Sequence, residues 1–251
     1  MRTRRLATIA IVAATMVMTA ACGGGRIFQQ YEYEEDVYLS LDGTATVYVN
    51  SSVAALDALR GASLDLSPVS RVDRAAVRAL FTSPVTTVAA LTESRRSGRR
   101  FVHVRLDVDN VRRLASVAPF AWSTYAFERE GEEFRYQQTV GGAAGKSVGA
   151  VGWTGRELVA FRLHLPSKIT YHTVPIRRGN ILVWEQPLTD RLRGEPIVLD
   201  VRMETQSILY RALYLFGATI AAVAATFALI IGWVLRKGSA LEPSKGQRHA
   251  V

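Results

Sequence analysis

The amino-acid sequence predicts an α+β fold: a mostly antiparallel sheet with two or three covering helices, followed by a single C-terminal transmembrane helix. Three observations lead there. Apolar residues alternate on either side of Asp42-Gly43 and in several later segments, capped helical stretches lie between them, and no charge interrupts Ala212 to Leu235. In order, the chain reads as a signal peptide over 1–21, a lipidated tether over 22–30, an extracytoplasmic domain over 31–208, a membrane span over 212–235 and a cytoplasmic tail over 236–251.

Arg2, Arg4 and Arg5 precede an apolar stretch from Leu6 to Met18, and the small residues Thr19, Ala20 and Ala21 stand before Cys22. That order is a secretory signal peptide. The tripeptide and cysteine also resemble a bacterial lipobox, with Thr19 where leucine is usual. Small residues suit a narrow peptidase pocket, and the thiol is the nucleophile that accepts lipid. Cys22 is the sole cysteine, so no intramolecular disulfide can form, and lipidation is the role expected of it. Cleavage near Ala21 by the ordinary signal peptidase, or retention of the segment as an anchor, are the alternatives.

After a Gly23-Gly24-Gly25 tether, Val37, Leu39 and Leu41, then Ala45, Val47 and Val49, alternate about Asp42-Gly43 as a β-hairpin does. The acidic run Glu32, Glu34, Glu35 and Asp36 reads as a solvated strand edge rather than a cation site. Ser51-Ser52 caps a short helix carrying Val53, Leu56 and Leu59, and a second helix runs from about Asp73 to Phe81 with Val77 and Leu80 inward. A strand is expected from Val85 to Glu93, a turn at Ser97-Gly98, a strand from Phe101 to Val108 and a third short helix capped by Asp109. A further hairpin turns at Glu130-Gly131. Late strands cover Leu158–Leu165, Ile169–His172, Ile181–Trp184 and Ile197–Met203. Between Val140 and Gly155 six glycines and little periodicity indicate a mobile loop, in which Val148, Val151 and Trp153 could meet a bilayer or a ligand entrance.

The 24 residues from Ala212 to Leu235 reach about 36 Å as a helix, enough for a hydrocarbon core of about 30 Å. Tyr210 and Tyr214 stand near one end and Trp233 near the other, where amphipathic rings prefer the interface, and Arg236-Lys237 follow. The positive-inside rule then puts the tail in the cytoplasm and the domain outside. Gly217, Ala221 and Ala225 form a row of small residues suited to close packing on a partner helix.

The net charge of +9 divides unevenly. Three arginines belong to the signal peptide, and the tail adds four basic residues against one acidic, leaving 24 basic and 21 acidic residues elsewhere. The excess is mostly a topogenic signal, so no nucleic-acid partner is expected. No catalytic constellation is legible, and no cofactor is expected. Gly145-Lys146-Ser147-Val148-Gly149 fits a nucleophile elbow, but its glycines oppose the helix that must follow the serine. A P-loop fails at its first glycine, where Val140 stands. His103, His164 and His172 lack metal-ligand spacing, so no metal site is expected. Arg95-Arg96, Arg99-Arg100 and Arg112-Arg113 could meet lipid phosphates but read more simply as solvated turns. Tyr125 and Phe127 with Phe134 and Tyr136, on the two strands of one hairpin, form an aromatic wall that would suit acyl chains or sugar faces, or would simply fill the core.

The whole plan resembles the LppM-like family of actinobacterial lipoproteins. Leu41-Asp42-Gly43-Thr44, Leu165-Pro166-Ser167-Lys168-Ile169 and Gly179-Asn180-Ile181-Leu182-Val183-Trp184 carry the resemblance. Where the family commonly has glycine after the proline and Asn-Gly after the next strand, this chain has Ser167 and His172-Thr173. The resemblance implies a helix-and-curved-sheet domain akin to lipid-carrying grip folds, in contact with envelope glycolipids. It brings no catalytic residue. The expectation is therefore a membrane-anchored, non-catalytic binding or accessory module with a lipid ligand; the alternative is an assembly partner of an inner-membrane complex, acting through the transmembrane helix and a sheet edge.

Overall fold

The computed structural model describes residues 30–239. The signal peptide, Cys22 with its tether and most of the tail lie outside the described residues. Strand β1 (Tyr31–Leu39) pairs antiparallel with β2 (Ala45–Ser52), Leu39 opposite Ala45. Gly43 takes the left-handed conformation at φ 86°, and the Asp42 carboxylate accepts the Thr44 amide and hydroxyl at 2.9 and 2.7 Å. Those bonds close the turn and hold the Asp42 carboxyl below the usual carboxylate range.

Helix α1 (Val53–Arg60) begins where expected, because the Ser52 hydroxyl accepts the Ala55 amide at 3.1 Å; Gly61, at φ 71°, ends it. All eight of its residues are buried. Helix α2 (Arg74–Phe81) starts on Asp73, whose carboxylate accepts the amides of Ala75 and Ala76, and it buries only Val77 and Phe81, one turn apart. Strands β3 (Thr86–Arg96) and β4 (Arg99–Val108) form the next hairpin. The third helix is a 3₁₀ turn, Val111–Ser116, and its cap is Asn110 rather than Asp109. The Asp109 amide is already taken by the Val85 carbonyl at 3.0 Å, which keeps Asp109 in the strand's path.

Two sheets replace the single one expected. β5 (Ser123–Glu130) and β6 (Glu133–Val140) make the hairpin about Glu130-Gly131, followed by β7 (Leu158–His164), β8 (Ser167–His172), β9 (Ile176–Arg178), β10 (Ile181–Pro187) and β11 (Ile197–Ser207). The larger sheet has the order β3-β4-β2-β1-β7-β10-β9, and the smaller β5-β6-β11-β8. Pairing is antiparallel except between β1 and β7. Neither the short edge strand β9 nor helix α3 (Leu188–Leu192) was expected from the sequence.

The chain crosses between sheets at Leu165-Pro166, where β7 ends and β8 begins. The strand registers give the domain two ends. At one lie the Asp42-Gly43 turn, the Leu165-Pro166 corner, the β9–β10 turn and the end of β11. At the other lie Tyr31, the start of α1 and the β3–β4 turn. The core fills the space between the inner faces: Val37, Val47, Val49, Val104 and Leu163 from one sheet, Phe127, Tyr136, Leu199 and Met203 from the other.

Candidate functional site

β11 runs straight into helix α4 (Ile208–Ser239) with no linker. The Ile208 amide donates to the Pro166 carbonyl at 3.0 Å, tying the first helical residue to the corner between the sheets. The Arg211 guanidinium lies 2.6 Å from Glu204 and donates to Gln206, so the first turn of α4 is also clamped to the strand that feeds it. Asn180 completes the joint. Its side-chain amide donates to the carbonyls of Leu165 and Ser167 at 3.2 and 2.6 Å, and its own carbonyl accepts the Leu165 amide at 3.0 Å. The three segments that carry the sequence resemblance thus meet at one end of the domain, the end from which α4 leaves.

Within α4, Ile208–Lys237 is 30 residues long, and its most apolar 18-residue window has mean hydropathy 2.2 and buries nothing against the domain. It is a helix long and apolar enough to cross a membrane. Thr219 and Thr226 turn their hydroxyls back to the carbonyls of Leu215 and Ala222, so both hydroxyls are satisfied within the helix. Gly217, Ala221 and Ala225 are exposed along the helix, and a Cβ added at Gly217 would meet no atom within 4 Å.

The predicted aromatic residues are brought together, but in the interior. Tyr125, Phe127 and Tyr136 are 9%, 1% and 0% exposed, and Phe127 stacks on Phe134 with centroids 5.1 Å apart. Tyr136 donates its hydroxyl to Gln138 at 2.7 Å, while the Gln138 amide reaches the Tyr125 hydroxyl at 3.4 Å and Glu35 at 3.0 Å. Burial pushes the hydroxyls of Tyr125 and Tyr136 well above the usual tyrosine range. Trp122, of opposite parity to Phe127, is exposed.

Glu35 is the centre of a polar cluster between the sheets. It accepts Arg60 Nη2 at 3.0 Å and the Tyr33 hydroxyl at 2.9 Å, and Arg60 Nε donates to the same hydroxyl at 3.0 Å. The acidic run is therefore not a solvated edge: β1 is central, Glu32 pairs with Arg99 at 2.9 Å, and Arg162 bridges Glu34 and Asp36. Arg191 is also buried and donates to the carbonyls of Glu195 and Gly141; burial and the neighbouring Arg60 push its guanidinium down to about 10. Parity could have found the cluster, since Glu35 shares its strand face with Tyr33, Val37 and Leu39.

The Val140–Gly155 stretch packs at the end away from α4. Trp153 donates to Glu32 at 3.1 Å, and Lys146 reaches the Ser63 hydroxyl at 2.6 Å. Ser147 sits in irregular backbone, without the strand and helix of a nucleophile elbow. His103 bridges Asn50 and Ser94, and His164 stacks on Tyr38 at 3.8 Å. Among the described residues no group of three or more histidines and carboxylates could hold a metal ion.

No model of a known protein family matches the chain, and no curated protein matches it. Among solved structures the chain is similar to the folded domain of LppM from Mycobacterium tuberculosis, determined by NMR, with 10% identity and a TM-score of 0.40. The match covers 72% of this chain and 94% of that one. It comes from the family named by the sequence resemblance, and no residue role is transferred from it.

Proposed function

We propose that the chain is an envelope lipoprotein acting as a non-catalytic binding or accessory module at the membrane surface. In this reading the domain lies on the extracytoplasmic side, α4 spans the cytoplasmic membrane with its tail inside, and lipid on Cys22 adds a second anchor. The observation that carries it is the joint: β11 enters α4 without a linker, Arg211 clamps the helix to that strand, and Ile208 is bonded to Pro166 in a corner that Asn180 braces. A freely swinging tether would need none of those bonds. In this reading that end of the domain lies against the headgroups, which is the position for a protein that handles or senses envelope lipids.

Two experiments test this. Cysteines introduced singly at Ser97 and at Ser244, in a Cys22→Ser background, report sidedness: only the first should react with an impermeant maleimide in intact cells. Native mass spectrometry of the protein released from its own membrane should retain lipid on the domain. Labelling at Ser244 alone would overturn the topology, and a domain free of lipid would leave the accessory reading without its ligand. The alternative, assembly through α4, draws on the exposed Gly217, Ala221 and Ala225 row. Crosslinking through that face to another membrane protein, lost in Gly217→Leu, would favour it.

A further inference from the structure

The end of the domain opposite α4 gathers guanidinium groups that the membrane reading does not use. The β3–β4 hairpin carries Arg95, Arg96, Arg99 and Arg100 about the Ser97-Gly98 turn, where Ser97 itself takes φ 50°. Three of the four donate hydrogen bonds only to backbone carbonyls: Arg95 to Pro68 and Ser70, Arg96 to Tyr31, Arg100 to Asp65. Arg99 donates to the Gly152 carbonyl and pairs with the buried Glu32. The charge of this end is thus largely uncompensated.

Arg100 is the decisive residue. It is 6% exposed, and no carboxylate among the described residues lies within ion-pair distance of it. The nearest candidate, Asp65, is exposed and bound to Ser67 and Ser70, with Arg100 only a lesser influence on its carboxyl. A buried charge is ordinarily paired, because removing it from water costs several kcal/mol. Arg60 obeys that rule through Glu35; Arg100 does not.

Arg100 also lines two cavities. On one side is a cleft of about 470 Å³ walled by Arg71, Arg95, Arg100, Ser94 and Glu93. Glu93 is its one carboxylate, 3.9 Å from Arg74. On the other side, a cavity of about 130 Å³ is lined by Arg99, Arg100, Val151 and the first turn of α1 at Ser52, Val53 and Ala54. Arg99 Nε is buried there without a hydrogen-bond partner. The positive end of the α1 dipole points the same way.

We infer that this end is a binding site for a phosphate-class oxyanion, with Arg100 as its buried counter-charge, Arg71 and Arg95 as its outer clamp and Arg99 with the α1 terminus as its inner wall. Guanidinium forks match tetrahedral oxyanions, and several of them around one cleft suit a multiply charged group better than a lone carboxylate. The site lies a strand's length, roughly 26 Å, from the end that carries α4, so with the domain upright it faces the aqueous or wall side of the envelope. It does not depend on the lipid reading of the joint.

The test uses the full chain in phosphatidylcholine nanodiscs, titrated with inorganic phosphate against a chloride background. Expected are saturable binding by calorimetry and a rise in the unfolding midpoint. Arg100→Gln should weaken binding at least about tenfold, in keeping with loss of a charge-assisted bond. Should Arg100→Gln fail to fold, the exposed pair Arg71→Gln with Arg95→Gln reads the same cleft, and Arg113→Gln, at the opposite end, should bind as the parent does. Added phosphatidylglycerol vesicles separate the sources. Phosphate binding without vesicle capture means a soluble or wall-borne ligand, and capture that phosphate competes away means a headgroup on a facing membrane. Absence of saturable binding up to roughly 10 mM, equal binding by the arginine variants, or vesicle capture that phosphate does not compete would overturn the site.

Discussion

Replacing Arg60 by methionine removes one member of a fully enclosed ion pair and leaves the other in place. The side chains of Arg60 and Glu35 are 2% and 0% exposed and 3.0 Å apart, and only the Tyr33 hydroxyl and the Gln138 amide would remain to solvate Glu35. Orphaning one partner of a buried pair costs about 3–5 kcal/mol. The two surviving hydrogen bonds to the carboxylate put the expectation near the lower bound, about 3 kcal/mol. For a domain of this size 1 kcal/mol corresponds to about 2–4 °C in the unfolding midpoint, so Arg60→Met should lower it by about 6–12 °C. Adding Glu35→Gln removes the stranded charge while keeping an amide for Tyr33 and Gln138, and should recover about half of the loss, so that the coupling, which also contains the cost of Glu35→Gln alone, is at least about 1.5 kcal/mol. Urea unfolding of the full chain in micelles, followed by near-ultraviolet circular dichroism, measures both. An Arg60→Met loss under about 1 kcal/mol, or strict additivity of the two substitutions, would refute the view that this pair is buried and coupled.

Gly141→Ala would set a Cβ 2.6 Å from the Trp122 carbonyl oxygen, a backbone atom that cannot swing aside; a loss of about 2 kcal/mol is expected, against almost none for Gly142→Ala, checked by the same denaturant midpoints. Asn180→Ala strips both bonds from the corner beneath α4 and should cost about 1–3 kcal/mol, with faster hydrogen exchange at Leu165 and Ile208 as its local signature. Asp200 is held below the usual carboxylate range by the Arg135 fork at 2.7 and 3.0 Å. Because its folded-state value is lowered, its contribution is complete above the unfolded value near 3.9 and fades as pH falls below it; Asp200→Asn should therefore flatten the acid limb of the stability curve. Phe127→Ala should cost about 3–5 kcal/mol, measured beside lipid retention: loss of lipid in a variant kept folded at low temperature would show that the ring meets ligand as well as core.

The local elements were legible because each has a short-range chemical cause. Asp42-Gly43 and Glu130-Gly131 mark their turns, Ser52 and Asp73 accept the amides that start α1 and α2, and the charge-free run sets α4. The division into two sheets was not legible. It depends on β1 pairing in parallel with β7, Tyr31 beside Leu158, and on a sheet change at Leu165-Pro166 that leaves no periodic trace. β9 has three residues, too few for alternation to show. As for the site, the motif segments could be named from sequence, but not that Asn180 and Pro166 would meet beneath α4. The arginine pairs were visible as a pattern; only burial distinguishes Arg100 from the solvated others.

The first strand of the domain starts at the end that α4 does not occupy, and this constrains how two anchors could share one bilayer. Tyr31 and Leu39 are separated by about 26 Å of strand. Nine residue steps join Cys22 to Tyr31, a reach of about 30–32 Å when pulled straight. A lipid on Cys22 and helix α4 can therefore enter the same leaflet with an upright domain only if the leader is drawn nearly taut down the domain's flank, like a mooring line with no slack. Otherwise the domain lists over until Tyr31 approaches the surface, bringing the arginine-rich end down with it. Under the proposed double anchoring, the reach of that leader and the joint that ties Ile208 to Pro166 together define the attitude at which the domain rides on the membrane.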